Sequence, residues 1–271
     1  MLLLVLSFLI FLMVSLQVNR YLHYKQWLDW FLGGFLIFIA QIILVMTLSG
    51  LFYQMNNPVF VLGFQCVLLV LSTAINRFWL IPKEKYFPFV LPGFKTKIDK
   101  KNLPIVAFFV VSLGVAILNL VYVLFVPPNN NDSLAIHLAR VGMWDQFGSW
   151  LPWNTKVFWQ LTFPMNAELI SYWTLLFTRS EHGLGLITYL TGYFSAILVY
   201  QLGYELSQKK SLALLAALTW AALPVVQMNF SSTRHDHSSS FMLIAAVYFF
   251  YYHLKEKNTS YLILSGLALG M

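Results

Sequence analysis

The chain has 271 residues, of which 59% are hydrophobic and 10% charged, and its formal net charge is +7. A soluble domain averages about half apolar and about a quarter charged residues, so water is excluded as the main solvent of this chain. The lone cysteine, Cys66, excludes an intrachain disulfide and a cysteine-built metal site, and the bases lie in short loops beside apolar stretches, which points to membrane topology and away from nucleic acid.

A hydrocarbon core of about 30 Å takes roughly 20 mostly apolar residues to cross. Stretches 1–19, 30–52, 58–81, 104–127, 183–205, 211–230 and 238–254 meet that length. The first has no basic leader and no small-residue cleavage site before Arg20, so it reads as a membrane helix and not as a signal peptide. Between Pro82 and Asn102, Lys83, Lys85, Lys95, Lys97, Lys100 and Lys101 stand against Glu84 and Asp99. The positive-inside rule makes this loop cytoplasmic, along with the loop holding Arg20 and Lys25, and turns the loop at Asn56 and Asn57 outward. Residues 1–103 thus read as three helices plus a basic cytoplasmic loop, and 104–271 as a second module with an outer loop at 128–182.

The helix from Pro104 ends at Pro127 and Pro128, because proline cannot continue the helical ladder. Segment 162–178 is apolar, yet it spans only about 25 Å as a helix and contains Pro164, Asn166 and Glu168. It is expected to lie along the membrane surface, which keeps Lys209, Lys210, Lys255 and Lys257 cytoplasmic and puts Arg234, His235, Asp236 and His237 on the same outer face as Asp132. The apolar run from Tyr261 to Met271 covers about half a span, so a further part of the protein is expected beyond it. The fold class is all-α: a polytopic transmembrane bundle with interfacial helices in its large outer loop.

Few residues are left to carry chemistry. Asp132 follows a helix end, where a carboxylate serves either as an N-cap or as a general base toward an incoming hydroxyl. His137, Arg140 and Trp144 share one helical face, and Arg140 is placed to keep Asp132 ionised. Glu168 is either paired at membrane depth or exposed on the polar face of an interfacial helix. The run Arg234-His235-Asp236-His237 offers a phosphate-binding cation beside a second carboxylate, with a spacing that matches no established metal-ligand pattern. Trp144, Trp150, Trp153, Trp159 and Trp173 fit an aromatic belt at headgroup level.

The order of an apolar helix, D-x-x-x-x-H-x-x-R-V from Asp132 to Val141, an aromatic amphipathic stretch, F-P-x-N-A-E from Phe163 to Glu168, two helices joined by a basic turn, and R-H-D at 234–236 resembles the C-type membrane glycosyltransferases. The nearest likeness is to the bacterial dolichyl-phosphate-mannose-transferase-like proteins of glycosyltransferase family 39, over residues 104–271. The resemblance implies a catalytic acid in the first outer loop, matched by Asp132, and an acid in a second outer loop, matched by Asp236. Relatives often carry adjacent acids in the first loop; this chain reads Asp132-Ser133.

The implied activity is transfer of a sugar from a polyprenyl-phosphate donor in the bilayer to a hydroxyl acceptor, with inversion. Asp132 acts as base, and His137, Arg140, Glu168, Arg234 and Asp236 form the substrate and phosphate site. A divalent cation, Mg2+ or Mn2+, held by Asp132 and Asp236 is the one cofactor this scheme admits. The rival classes are a transporter or lipid flippase, which calls for ionisable residues at mid-membrane or broken helices in repeated halves, and a noncatalytic assembly subunit, which needs no outward acids.

Overall fold

The computed structural model describes residues 2–78, 103–230 and 233–271, and the lysine-rich stretch between Pro82 and Asn102, with its cytoplasmic assignment, lies outside them. The described residues are helical and contain no strand. In chain order the helices are α1 (Leu2–Asn19), α2 (Trp27–Leu51), α3 (Pro58–Phe78), α4 (Leu103–Phe125), α5 (Leu138–Phe147), α6 (Trp159–Thr162), α7 (Asn166–Thr178), α8 (Leu186–Ser207), α9 (Lys210–Ala222), α10 (Pro224–Asn229), α11 (Asp236–Glu256) and α12 (Thr259–Gly270). Helices α1, α2, α3, α4 and α8 are long and apolar enough to cross a membrane. Without water to bond the backbone, a spanning segment closes its hydrogen bonds within itself, and helices of this length do so.

The main apolar core runs through the bundle, and a smaller one gathers Val123, Tyr189, Val226 and Phe230. Phe11, Leu32, Leu36, Ile39 and Ile42 from the first two helices pack with Trp144, Tyr172, Phe241, Phe249 and Tyr261 from the later ones. The charged groups are swept to the two ends. At one end Lys25 pairs with Glu256, Lys255 Nζ lies 2.6 Å from Glu205, and Asn258 donates to the His23 carbonyl at 2.6 Å. Just inside it, the buried Asp29 carboxylate accepts from the Tyr248 and Tyr261 hydroxyls at 2.6 and 2.7 Å. At the other end Asn56 donates to the Asp145 carbonyl, Arg179 pairs with the Asp145 carboxylate at 2.9 Å, and the Gly183 N–H meets the Val123 carbonyl.

Helix α7 occupies the segment 162–178 that is expected to lie along the membrane surface, and α5 holds both of its ends. Glu168, in its first turn, pairs with Arg140 of α5, and Arg179, just past its last turn, pairs with Asp145 of the same helix. At 13 residues, α7 is shorter than a membrane-crossing helix needs to be. The helix is more deeply set than a surface helix, however: Glu168, Leu169, Tyr172 and Leu176 are buried beneath neighbouring helices, and the Trp173 indole donates to Ser7 of α1 at 2.8 Å. Trp144 and Trp173 are thus core residues and not belt anchors, being 1% and 4% exposed. Trp150 caps α2: its indole donates to the Thr47 carbonyl, and it lies so close on Gly50 that a Cβ there would sit 2.1 Å from the ring.

The apolar run 211–230 divides where a single helix is expected. Leu223 is extended, as a residue before proline prefers, and Pro224 opens α10. The Ala221 carbonyl left without its helical partner accepts from the Gln227 side chain, whose own oxygen accepts from Asn119 of α4 at 2.7 Å. Neighbouring side chains commonly repair proline breaks in membrane helices in this way.

The two-ended distribution of charge has a direct readout. In a Cys66→Ala background, single cysteines at positions 131 and 236 should label with an impermeant maleimide from one side of sealed vesicles, and cysteines at 25 and 209 only from the other. Labelling of 131 and 236 from opposite sides would contradict this topology.

Candidate functional site

The polar residues of the second end come from three segments. The first begins where α4 stops. The Asn130 side chain accepts from the Ser133 N–H at 2.8 Å, so Asn130 does the capping expected of Asp132. Asp132 makes no capping bond and has helical backbone angles, and its carboxylate pairs with Arg234 instead. Ser133–His137 then forms a π-turn, closed by a bond from the Leu138 N–H to the Ser133 carbonyl. Such one-turn widenings occur often at functional sites, since they re-aim the residues that follow. Here His137 and Arg140 both point toward α7.

On α7, the Glu168 carboxylate is 1% exposed. Its Oε1 lies 2.7 Å from His137 Nδ1 and accepts from Arg140 Nη1 at 3.0 Å. Arg140 also donates to the Pro164 carbonyl at 3.4 Å, and its guanidinium lies 5.2 Å from the Trp144 ring centre. The sequence expectation that Arg140 serves Asp132 is therefore corrected: Arg140 is committed to Glu168, because a buried carboxylate demands a close opposite charge. Of the two readings of Glu168, the paired one holds.

The third segment runs between α10 and α11. Arg234 Nη2 lies 2.9 Å from Asp132 Oδ2, and Arg234 Nε lies 3.6 Å from Asp236 Oδ2. One guanidinium thus joins two acids about a hundred residues apart in the chain, and Asn229 donates to Asp236 at 3.0 Å. The Thr233 N–H meets the Ser133 hydroxyl at 3.2 Å, which ties this segment to the π-turn. Asp236 thus stands beside Asp132 on the same guanidinium, while the neighbour of Asp132 in sequence is Ser133.

Sequence reasoning passed over His235 as a site residue. Its ring meets that of His137 edge to face, with centroids 5.0 Å apart. Burial holds its imidazole below the usual histidine range, against the upward pull of Glu168. Asp132, His137, Trp159, Arg234, His235 and Asp236 line a cavity of about 280 Å³, near the lower end of small-ligand sites. Trp159, 53% exposed, is the tryptophan of the outer loop placed on this cavity, as a ring that could stack on a sugar. One ligand atom each from His137, Glu168 and His235 lie within 4.8 Å of one another, making these three the residues with metal-binding geometry among those described.

A helical membrane protein with a charged cavity at one end of its bundle is the class that fold and site define. Residues 162–271 match the family model for dolichyl-phosphate-mannose-protein mannosyltransferases. The match supports a membrane glycosyltransferase of the C type, as the motif order suggests, and it takes in Glu168, Arg234 and Asp236 while beginning after Asp132, His137 and Arg140. No curated protein and no solved structure matches the chain.

Arg140→Met would leave the buried Glu168 without its guanidinium, at a cost of about 3–5 kcal/mol. Arg179→Met breaks an exposed pair and should cost about 0–1 kcal/mol. Thermal melts of the two variants in detergent should therefore differ clearly, with Arg140→Met much the lower.

Proposed function

We propose that the protein transfers a sugar from a polyprenyl-phosphate donor to an acceptor hydroxyl at the outer face of a bacterial inner or plasma membrane. The observation that carries the reading is the bridge Asp132–Arg234–Asp236 across the mouth of the cavity. The donor suits such a site physically: its tail stays in lipid while its phosphosugar head lies at the interface, beside the charged end of the bundle.

In this reading the Asp132 carboxylate takes the proton of the acceptor hydroxyl as its oxygen attacks the anomeric carbon. The bond from that carbon to the phosphate oxygen breaks, and polyprenyl phosphate leaves with the electron pair. A single displacement of this kind inverts the anomeric centre. Arg234 supplies charge for the departing phosphate. Phosphate arriving at Arg234 competes with Asp132 for the guanidinium, which frees the carboxylate for the acceptor. Asp236 orients Arg234 from its other side, and the buried Glu168 fixes His137 and Arg140 behind the cavity. The lysine-rich end faces the cytoplasm by the positive-inside rule, and this turns the cavity outward.

In liposomes with a polyprenyl-phosphate sugar, Asp132→Asn should lower the transfer rate by about a hundredfold or more at unchanged protein level and melting temperature. Transfer at the wild-type rate would remove Asp132 from the chemistry. Arg234→Lys keeps the charge without the fork, and should fall between wild type and Arg234→Ala. Mg2+ or Mn2+ held by Asp132 and Asp236 is the other source of positive charge; transfer that survives Arg234→Ala but is abolished by a chelator would favour it.

A further inference from the structure

We infer that His137, Glu168 and His235 form a binding site for a divalent transition metal, zinc foremost, with an open coordination position on the cavity. Three ligand atoms no more than 4.8 Å apart lie at most about 2.8 Å from a common centre, so a closure of about 0.7 Å reaches the roughly 2.0–2.1 Å of zinc–nitrogen and zinc–oxygen bonds. The ligand set is two imidazoles and one carboxylate, which suits zinc and its first-row neighbours better than Mg2+ or Ca2+. Three protein ligands leave a fourth position for water or a ligand oxygen.

Two further features point to a missing partner. Glu168 Oε2 and His235 Nδ1 are buried and make no hydrogen bond. A buried acceptor left unpaired ordinarily costs about 1–3 kcal/mol, and native structures seldom tolerate it without reason. Glu168 Oε1, by contrast, accepts from Arg140, and its contact with His137 Nδ1 would open to admit the metal. The carboxylate thus keeps one oxygen anchored by the guanidinium and one oxygen vacant, an outer-shell arrangement of the kind that orients metal-bound carboxylates. Arg140 already balances the charge of Glu168, so a bound dication would carry its charge toward the cavity and would draw an anionic oxygen to its open position.

The three ligands come from the π-turn, from α7 and from the segment before α11. A metal here would pin those elements together independently of the transfer reaction, and its presence is measured without it. Full-length protein purified in detergent, loaded with zinc and desalted, should retain about one equivalent by elemental analysis. His235→Ala should retain less than about a tenth of that, while Asp236→Ala, which lies outside the trio, keeps it. Cobalt substitution should give the visible absorption of a low-symmetry nitrogen and oxygen site in wild type and none in His235→Ala. Zinc should raise the melting temperature of wild type and leave that of His235→Ala unmoved. Since His235 is only half-buried, its alanine variant should fold; Glu168→Gln provides a second loss of ligand, checked by gel filtration. Folded wild type that retains no more zinc than His235→Ala, with no cobalt spectrum, would overturn the inference, and it would leave the role given to Asp132 untouched.

Discussion

The constraint on which the structure depends is that hydrocarbon tolerates neither an unpaired backbone group nor an unpaired charge. Long apolar helices meet the first demand. The second sends ionisable side chains to the ends of the bundle, and where one is buried it is surrounded: Asp29 by two tyrosine hydroxyls and Gln26, Glu168 by His137 and Arg140. The candidate site is a product of that sorting. Residues widely separated in the chain meet because the same end of the bundle is the place open to all of them.

Within that end the charges form two layers. The inner layer, Glu168 with Arg140 and His137, is nearly sealed from solvent, and its geometry is set by the π-turn and by α7. The outer layer, Asp132 with Arg234 and Asp236, is roughly half exposed. An exposed pair between a guanidinium and a carboxylate is worth little in stability, so the outer groups can exchange partners when a ligand arrives. The inner groups cannot do so cheaply. The end of the bundle thus has a rigid floor beneath an adaptable rim.

Much of this was legible in the sequence, and the rest was hidden for identifiable reasons. Hydropathy gives the apolar helices, five of them long enough to cross, because transfer into lipid depends on composition and length. The short length of segment 162–178, together with Pro164 and Glu168, sets it apart from them. The partner of Arg140 was not legible: Asp132 and Glu168 are both acids within reach in sequence, and only the π-turn and the burial of α7 decide between them. His235 could not be found by spacing, since its companions lie 98 and 67 positions away. Pro224 was visible as a helix breaker, but the apolar run around it masks the break. The tryptophans of the outer loop look alike by composition and differ by burial, which only packing determines.

That break has a consequence for the outer layer. Helix α10 precedes the segment carrying Arg234, and its placement depends on the bend at Leu223 and Pro224 and on the Gln227 and Asn119 side chains that brace it. These braces do not line the cavity. Yet a change at any of them shifts α10, whose Asn229 and Val226 hold Asp236 and its neighbour His237, so the alignment of the two acids is governed in part by residues that never touch a ligand there.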